Sequence, residues 1–386
     1  MDSDTQMHLI SGFSDKELRE ILDEIFVDDT VDIIEEMPAN VVSRILKNTD
    51  AETRKQINAI LDYPTDSAGS VMTTEYVYLH KNMTTKEALD WIRKVGVVKE
   101  TIYTCYITES RKLIGFVTIL DLVTADEDAT IESIMDSNVK FVYTHEDRED
   151  VAKKFSKYDF LAMPVVENEE RSVGIITFDD VLDVIAEENE EDFSKMAAMQ
   201  PIEDSYFKTS VFTHAKKRIG WLLVLMLSAT ITGNLLTKYE EAFQAIPILV
   251  SFIPMLMSTG GNCGSQSSTT VIRGLATGEI QFKDFFKAVF KEFRISLIIS
   301  VILAVTNGLR IFIFYKNLQL SIVITLSIIG TVIIAEFIGC ALPLIAKKVK
   351  LDPAIMATPL ISTIVDTCSM LIYFQFATMI FSELRH

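Results

Sequence analysis

Residues 251–270 read SFIPMLMSTGGNCGSQSSTT. The first half is as apolar as a membrane span, and the second half turns to glycine, asparagine, glutamine and serine. Bilayer hydrocarbon is roughly 30 Å thick, so a spanning helix needs about 20 mostly apolar residues. Polar groups or irregular backbone at that depth are tolerated only against protein or a water-filled cavity. Gly260 and Gly261 therefore have two readings. They let a neighbouring helix approach closely, or they expose carbonyls to an aqueous pathway, with Pro254 freeing another carbonyl one turn earlier. Asn262 and Gln266 add neutral oxygen donors.

The surrounding sequence sets the environment. Five segments are long and apolar enough, or nearly so, to span: approximately 219–236, 245–263, 295–314, 321–346 and 353–381. Lys216, Lys217 and Arg218 precede the first span. Arg273, Lys283, Lys287, Lys291 and Arg294 separate the second and third, and Lys347, Lys348 and Lys350 separate the fourth and fifth. The opposite loops hold mainly Lys238 and Lys316, and Arg310 snorkels to the outer surface. By the positive-inside rule the N-terminus is cytoplasmic and the C-terminus extracytoplasmic. From Lys216 onward the chain carries 15 Lys/Arg against 9 Asp/Glu, whereas residues 1–215 carry 21 against 45. A soluble acidic module therefore precedes a membrane domain. A net charge of −18 disfavours nucleic acid, whose phosphates need clustered Lys and Arg. It suits cations. The four cysteines are scattered and indicate neither a disulfide framework nor a thiolate metal site. No signal peptide is visible at the N-terminus.

The fifth span reads LDPAIMATPLISTIVDTCSMLIYF from residue 351. Asp366 lies 14 residues beyond Asp352, about 20 Å along a helix. An intramembrane carboxylate is costly and marks an ion path or a paired charge. Thr358, Ser362 and Thr363 add hydroxyls at helical spacing toward it, and such an oxygen-lined path suits a hard cation. Glu336, in the fourth span, is either an accessory ion site or a protonated hydrogen-bond partner of a neighbouring helix.

The front half contains an internal repeat. Met72 pairs with Met135, Gly115 with Gly174, Thr118 with Thr177, and Asp121 with Asp180. Each copy predicts a short strand, a helix, two strands and a second helix. The GFVTILD and GIITFDD elements resemble those of tandem CBS domains. That resemblance implies an adenine-nucleotide site, with Thr118, Asp121 and Phe160 as candidate ATP contacts. Thr and Asp at a helix start also serve as plain N-caps. Asp179, Asp180, Asp183, Glu187, Glu188, Glu191 and Asp192 fall in one predicted helix. It is either a solvated face or a set of like charges that a cation screens. Residues 1–62 show Leu and Ile at helical intervals.

Taken in order, short helical repeats, DYPTDSAGSVMT, two CBS repeats, an acidic helix and five spans resemble the MgtE family of magnesium channels. The most specific pieces are IPMLMSTGGNCGSQSSTTVIRGLATGE and DPAIMATPLISTIVD. The resemblance implies a multidomain protein: a short α-helical N domain (1–62), α/β CBS repeats (63–128 and 129–186), an acidic connecting helix (187–217) and an all-α five-span pore domain (218–386). It implies a homodimer in the cell (inner) membrane, with spans two and five lining a pore for hydrated Mg2+. Asp366 matches the pore aspartate, Asn262, Gly260 and Gly261 the motif of span two, and Asp352 an acid at the cytoplasmic mouth. Thr358 and Ser362 belong to the same wall. Asp147, Glu149, Asp180, Asp183, Glu188, Glu191 and Asp192 match the acids that bind cytosolic magnesium and close the pore. The chain departs from the family in three places. Its N domain is about half the usual length, Thr358 stands where some relatives have asparagine, and Glu336 where some have a neutral residue.

Two rivals remain at this level: a cation-coupled exchanger for magnesium or another divalent ion, and a CBS-based membrane sensor without transport. An enzyme is disfavoured, because the chain has no P-loop, no G-x-S-x-G, no H-E-x-x-H and no clustered histidine.

Overall fold

The computed structural model describes residues 3–202, 206–356 and 358–384. The chain divides into two compact units, Met1–Glu188 and Asn189–His386.

The first unit opens with five amphipathic helices, α1 (Ser3–Gly12), α2 (Asp15–Leu22), α3 (Val27–Glu36), α4 (Ala39–Asn48) and α5 (Ala51–Leu61). Local signals set their starts. Ser14 and Glu17 form a reciprocal capping box on α2, and the Asp50 carboxylate accepts from the Glu52 and Thr53 amides of α5. Their apolar faces meet around Leu18, Val31, Ile45 and Ile57.

Two similar α/β repeats follow. The first contains β1 (Tyr76–Leu79), α6 (Thr85–Val95), β2 (Thr101–Glu109), β3 (Lys112–Thr118) and α7 (Ile119–Thr124). A single turn, α8 (Ile131–Ile134), leads into β4 (Val142–Tyr143), α9 (Arg148–Tyr158), β5 (Ala162–Val166), β6 (Ser172–Thr177) and α10 (Phe178–Met196). In each sheet the first strand runs parallel to the second across a helical crossover, and the second pairs antiparallel with the third through a tight turn.

The repeated Met and Gly positions acquire a reason here. The segment before each repeat packs on the sheet of the other. Thr73 exchanges amide hydrogen bonds with Ile175 (2.8 and 2.9 Å), and Asp136 does the same with Phe116 (2.9 and 3.0 Å). A Cβ on Gly174 would lie 2.6 Å from the Thr73 carbonyl and 2.9 Å from Met72 Sδ, and one on Gly115 would lie 2.9 Å from the Asp136 carbonyl. Glycine is required at both because two backbones meet there.

The second unit is helical: α11 (Val211–Lys238), α12 (Glu240–Ala245), α13 (Ile253–Ala276), α14 (Phe285–Tyr315), α15 (Leu318–Lys348) and α16 (Thr358–Ile380). Short 3-10 turns at Pro247–Phe252 and Pro353–Met356 precede α13 and α16. Among the described residues, four helical segments are long and apolar enough to cross a membrane: Val211–Lys238, Phe282–Tyr315, Leu318–Lys348 and Pro353–Ile380. The expected fifth, residues 245–263, is displaced. Its helix begins at Ile253 and runs through the whole polar stretch to Ala276. At 24 residues it is about 36 Å long, but its glycines, serines and amides keep it out of the apolar set. Pro254 sits in the first turn of α13, where no interior hydrogen bond is lost, so it frees no carbonyl within the helix. The basic residues Lys287, Lys291 and Arg294, expected in a loop, lie on the first turns of α14. The core of the unit forms where α13, α15 and α16 meet, around Leu256, Val332, Val365 and Phe374. The buried Tyr373 hydroxyl donates to the Leu249 carbonyl at 2.9 Å.

Candidate ion pathway

Helix α13 has two faces of different chemistry. One carries the glycines into the core. A Cβ on Gly260 would lie 2.7 Å from Val365 Cγ1 and from Thr331 Cγ2, and one on Gly264 would lie 2.8 Å from Ile361 Cγ2. Gly339 of α15 faces the same level, where a Cβ would stand 2.3 Å from the Gly264 carbonyl oxygen. The small residues let three helices approach to backbone contact. Gly260 therefore serves packing and does not face the cleft.

The other face repeats every four residues: Met257 and Ser258, then Gly261 and Asn262, then Ser265 and Gln266. Together with Ser362 and Asp366, one turn apart on α16, these residues line a cleft of about 410 Å³. Gly261 belongs to both faces, since a Cβ there would meet the Ser362 hydroxyl at 3.2 Å. The packing reading of the opening stretch holds for Gly260 and Gly264, and the opposite side of the helix lines a polar cleft.

Asp366 is half-buried in this wall, and among the described residues it has neither a hydrogen-bond partner nor an ion pair. Ser265 Oγ is buried without a partner among the described residues, and Asn262 and Gln266 point outward. The cleft is thus an oxygen-rich wall around one uncompensated carboxylate. Thr363, expected to point toward Asp366, instead donates to the Pro359 carbonyl at 2.9 Å. The Thr358 side chain lies outside the described residues. Glu336 is buried among helices and takes no part in lining the cleft.

Asp352 lies at the foot of α16. Its Oδ1 accepts from the Ala354 amide at 2.8 Å, and its Oδ2 pairs with Lys195 of α10 at 2.7 Å. Lys195 also pairs with Glu191 at 2.6 Å. Burial alone would lower the pKa of Lys195, but its hydrogen bonds to Asp352 and Glu191 outweigh that and raise it.

The remaining acids belong to the first unit or to α10. Asp147 caps α9 through the Glu149 amide, and Glu149 pairs with Lys153 at 2.8 Å. Arg148 holds Glu187 at 2.7 Å and Glu188 at 2.9 Å. Thr177 donates to the Asp180 carboxylate, and in the first repeat Thr118 and Asp121 cap each other in the same way, at 2.6–3.2 Å. Both candidate nucleotide residues therefore act as a helix cap. Phe160 packs edge-on against Phe155 and tilted against Tyr158.

Acids that the sequence did not single out join Asp180. Burial pushes Asp28 up to about 7, helped by Asp180 and Glu100; burial does the same for Asp32, and Glu100 also rises to about 7 through burial and the charges of Asp180 and Asp179. Asp180 is itself raised by burial, against the Thr177 hydrogen bond. Asp28 and Asp32 sit on α3 and read in the sequence as solvated positions. Among the described residues no three His, Cys, Asp or Glu side chains converge closely enough to hold a metal ion.

Comparisons with known proteins bear on the whole chain. A family model described as MgtE divalent cation transporter matches residues 253–376, the MgtE intracellular N domain matches residues 1–66, and CBS domain models match 68–128 and 131–187. The chain is 35% identical over 352 residues to the magnesium transporter MgtE of Bacillus subtilis, covering 91% of this chain and 78% of that protein. It is 34% identical over 332 residues to the magnesium transporter MgtE of Thermus thermophilus, covering 86% and 74%. Among solved structures, the cytosolic domain of the Mg2+ channel MgtE in complex with ATP aligns at 36% identity with a TM-score of 0.46, covering 48% of this chain and 76% of that one. Identity above 30% across more than two thirds of these relatives, with the N domain, CBS pair and transporter models matched in order, means that the chain belongs to the MgtE family, whose members are transporters and not enzymes.

Proposed function

We propose that the protein is a magnesium-selective channel of the cell (inner) membrane, passing hydrated Mg2+ down its electrochemical gradient into the cytoplasm. Asp366 carries the proposal: a carboxylate inside an apolar helix, without a partner among the described residues, facing hydroxyls and amides across a cleft. Mg2+ keeps an octahedral shell and dehydrates reluctantly. Six waters occupy roughly 180 Å³, so the cleft of about 410 Å³ accommodates the hydrated ion. Contact would run through its waters to Asp366, Asn262, Gln266 and Ser362. In this reading α13 is the fifth membrane span, and its polar face is tolerated because it borders water. The outward-facing Asn262 and Gln266 suit a homodimer in which a second copy supplies the opposite wall.

The gate is electrostatic. Cytosolic Mg2+ binds Asp147, Glu149, Asp180, Asp183, Glu188, Glu191 and Asp192 and favours a closed state. When it leaves, the acids repel. The ion shifts the balance only by its differential affinity for the two states. ATP at the CBS pair, contacting Thr118, Asp121 and Phe160, belongs to the same regulatory region. The N-terminus is cytoplasmic and the C-terminus extracytoplasmic.

The test is Mg2+ flux into liposomes holding the purified protein, beside Asp366→Asn, with and without Mg2+ on the cytoplasmic face. Flux that needs Asp366 and stops with internal Mg2+ is expected. Flux that tracks a sodium gradient would favour an exchanger, and absence of flux under every condition would favour a sensor. Unchanged inhibition after joint neutralisation of the gating acids would overturn the gate alone.

A further inference from the structure

Behind the cleft, three helices bury two carboxyl groups that the pathway does not use. Glu292 of α14 is 8% exposed and Glu336 of α15 is 2% exposed. The Ser267 hydroxyl, on α13 beside Gln266, donates to Glu292 Oε2 at 2.9 Å and lies 3.2 Å from the Glu336 carbonyl oxygen. The Glu336 carboxyl lies beside that of Glu292. Among the described residues no Lys, Arg or His forms an ion pair with either acid. Lys291 and Arg294, which flank Glu292, are exposed. The other titratable side chains that feel the pair are Cys263 of α13 and Cys340 of α15, and neither brings positive charge. Helix α16 turns Asp366 to the cleft.

Two ionised carboxylates in contact, buried and without a counter-ion, are not a stable arrangement. A cation must sit between them. There is no room for a hydrated one: Gly339 and Gly264 bring α15 and α13 to backbone contact one helical turn away, and the cleft does not extend to either acid. Among the described residues no three His, Cys, Asp or Glu side chains converge here to hold a metal ion either.

We propose that Glu292 and Glu336 form an intramembrane proton-binding site, sharing one proton that joins α14 and α15 to the cleft-lining helix α13. Glu336 is the more buried of the two, 2% against 8% exposed, so the proton is assigned to it, and its O–H donates to Glu292. Loss of that proton puts two negative charges between three helices and loosens the seat of α13. The assignment does not depend on what the cleft carries, because its primary readout involves no flux.

Infrared spectra of the full chain in liposomes, taken across pH, test it. A protonated carboxyl C=O band is expected at neutral pH. It should disappear in Glu336→Gln and persist, shifted, in Glu292→Gln. It should also titrate away in the wild type as pH rises, and this arm needs no variant to fold. Thermal stability supplies the second readout. The folded state holds a proton that the unfolded chain releases in the ordinary carboxylate range, so wild-type stability falls between that range and the folded titration point, by up to tenfold in the folding constant per pH unit for one proton, and levels off above it. Glu336→Gln, which keeps the hydrogen bond without the proton, should show a shallower fall, leaving only the part due to Asp28, Asp32 and Glu100 of the first unit. A wild-type spectrum without a band that Glu336→Gln removes would overturn the assignment, as would identical pH profiles for the two proteins. A band that vanishes on adding Mg2+ or Na+ at constant pH would overturn it in favour of a metal cation.

Discussion

The tightest approach in the membrane unit predicts the effect of one methyl group. In Gly339→Ala the new Cβ would stand 2.3 Å from the Gly264 carbonyl oxygen and 3.0 Å from Ser267 Cβ. Ordinary contact begins near 3.4 Å, so α13 and α15 must separate by about 1 Å. The obstacle is backbone on both sides, and no rotamer change relieves it. Overpacking of this kind costs about 1–3 kcal/mol. For a unit of 198 residues that corresponds to a fall in Tm of roughly 2–12 °C. Gly261→Ala is the matched comparison: its one tight contact is the Ser362 hydroxyl, at 3.2 Å, which can rotate away, while Ser362 Cβ and Cα stand at ordinary contact distances of 3.5 and 3.9 Å, so the loss stays under about 1 kcal/mol. Heating the detergent-purified proteins and measuring the monodisperse fraction by size exclusion ranks them. Gly339→Ala should unfold first, with Gly261→Ala close to wild type. Equal melting of all three proteins, or the reverse order, would refute the claim that α13 and α15 meet backbone to backbone.

Other outcomes follow from the charges. Asp28, Asp32 and Glu100 bind protons more tightly in the folded chain, each rising to about 7. Metal-free stability, followed by Tm in chelator, should therefore fall as pH rises from about 4 to about 7 and level off above that; a rising profile would contradict this. Under the proposed gate, added Mg2+ should flatten the fall. Arg148→Met strips the counter-charge from Glu187 and Glu188 at a site where Arg148 is only 19% exposed. The expected cost is about 1–3 kcal/mol, read as a lower Tm. Lys195→Met frees the Asp352 carboxylate. Stability should change by less than about 1 kcal/mol, while flux at a fixed internal Mg2+ concentration should rise. Ser265→Ala removes a hydroxyl that has no partner among the described residues, so its stability effect should stay within about 1 kcal/mol.

Some of this architecture is legible in the chain and some is not, for reasons that differ by residue. Asp366 stands out because a carboxylate within an apolar run has few explanations. The pairing of Met72 with Met135 and Gly115 with Gly174 is visible as a repeat. Which methionine meets which glycine is not, because the crossing of the two leader segments is a long-range contact without a local signal. The polar residues of 258–266 suggest either packing or a pathway; only the helical register shows that they divide between a packed face and a cleft-lining one. Glu292 escapes notice because KEFR, with Lys291 and Arg294 exposed beside it, reads as an ordinary charged helix start. Asp28 and Asp32 escape it because acids on a short amphipathic helix read as solvated. In both cases burial, which is a tertiary property, separates the special acid from the ordinary one.

The exchange of leader segments between the two CBS repeats also bears on how the chain is inherited and assembled. A duplicated module whose copies merely stand side by side can lose one copy and keep the other. Here each sheet borrows its last pairing partner from outside itself, Thr73 for one and Asp136 for the other. Deleting either repeat would strip the survivor of hydrogen bonds and expose Gly115 or Gly174 with nothing against it. Neither half can then be selected, trimmed or replaced alone. A change at Met72 is constrained by the second repeat and a change at Met135 by the first, so substitutions in the two copies should travel as crossed pairs.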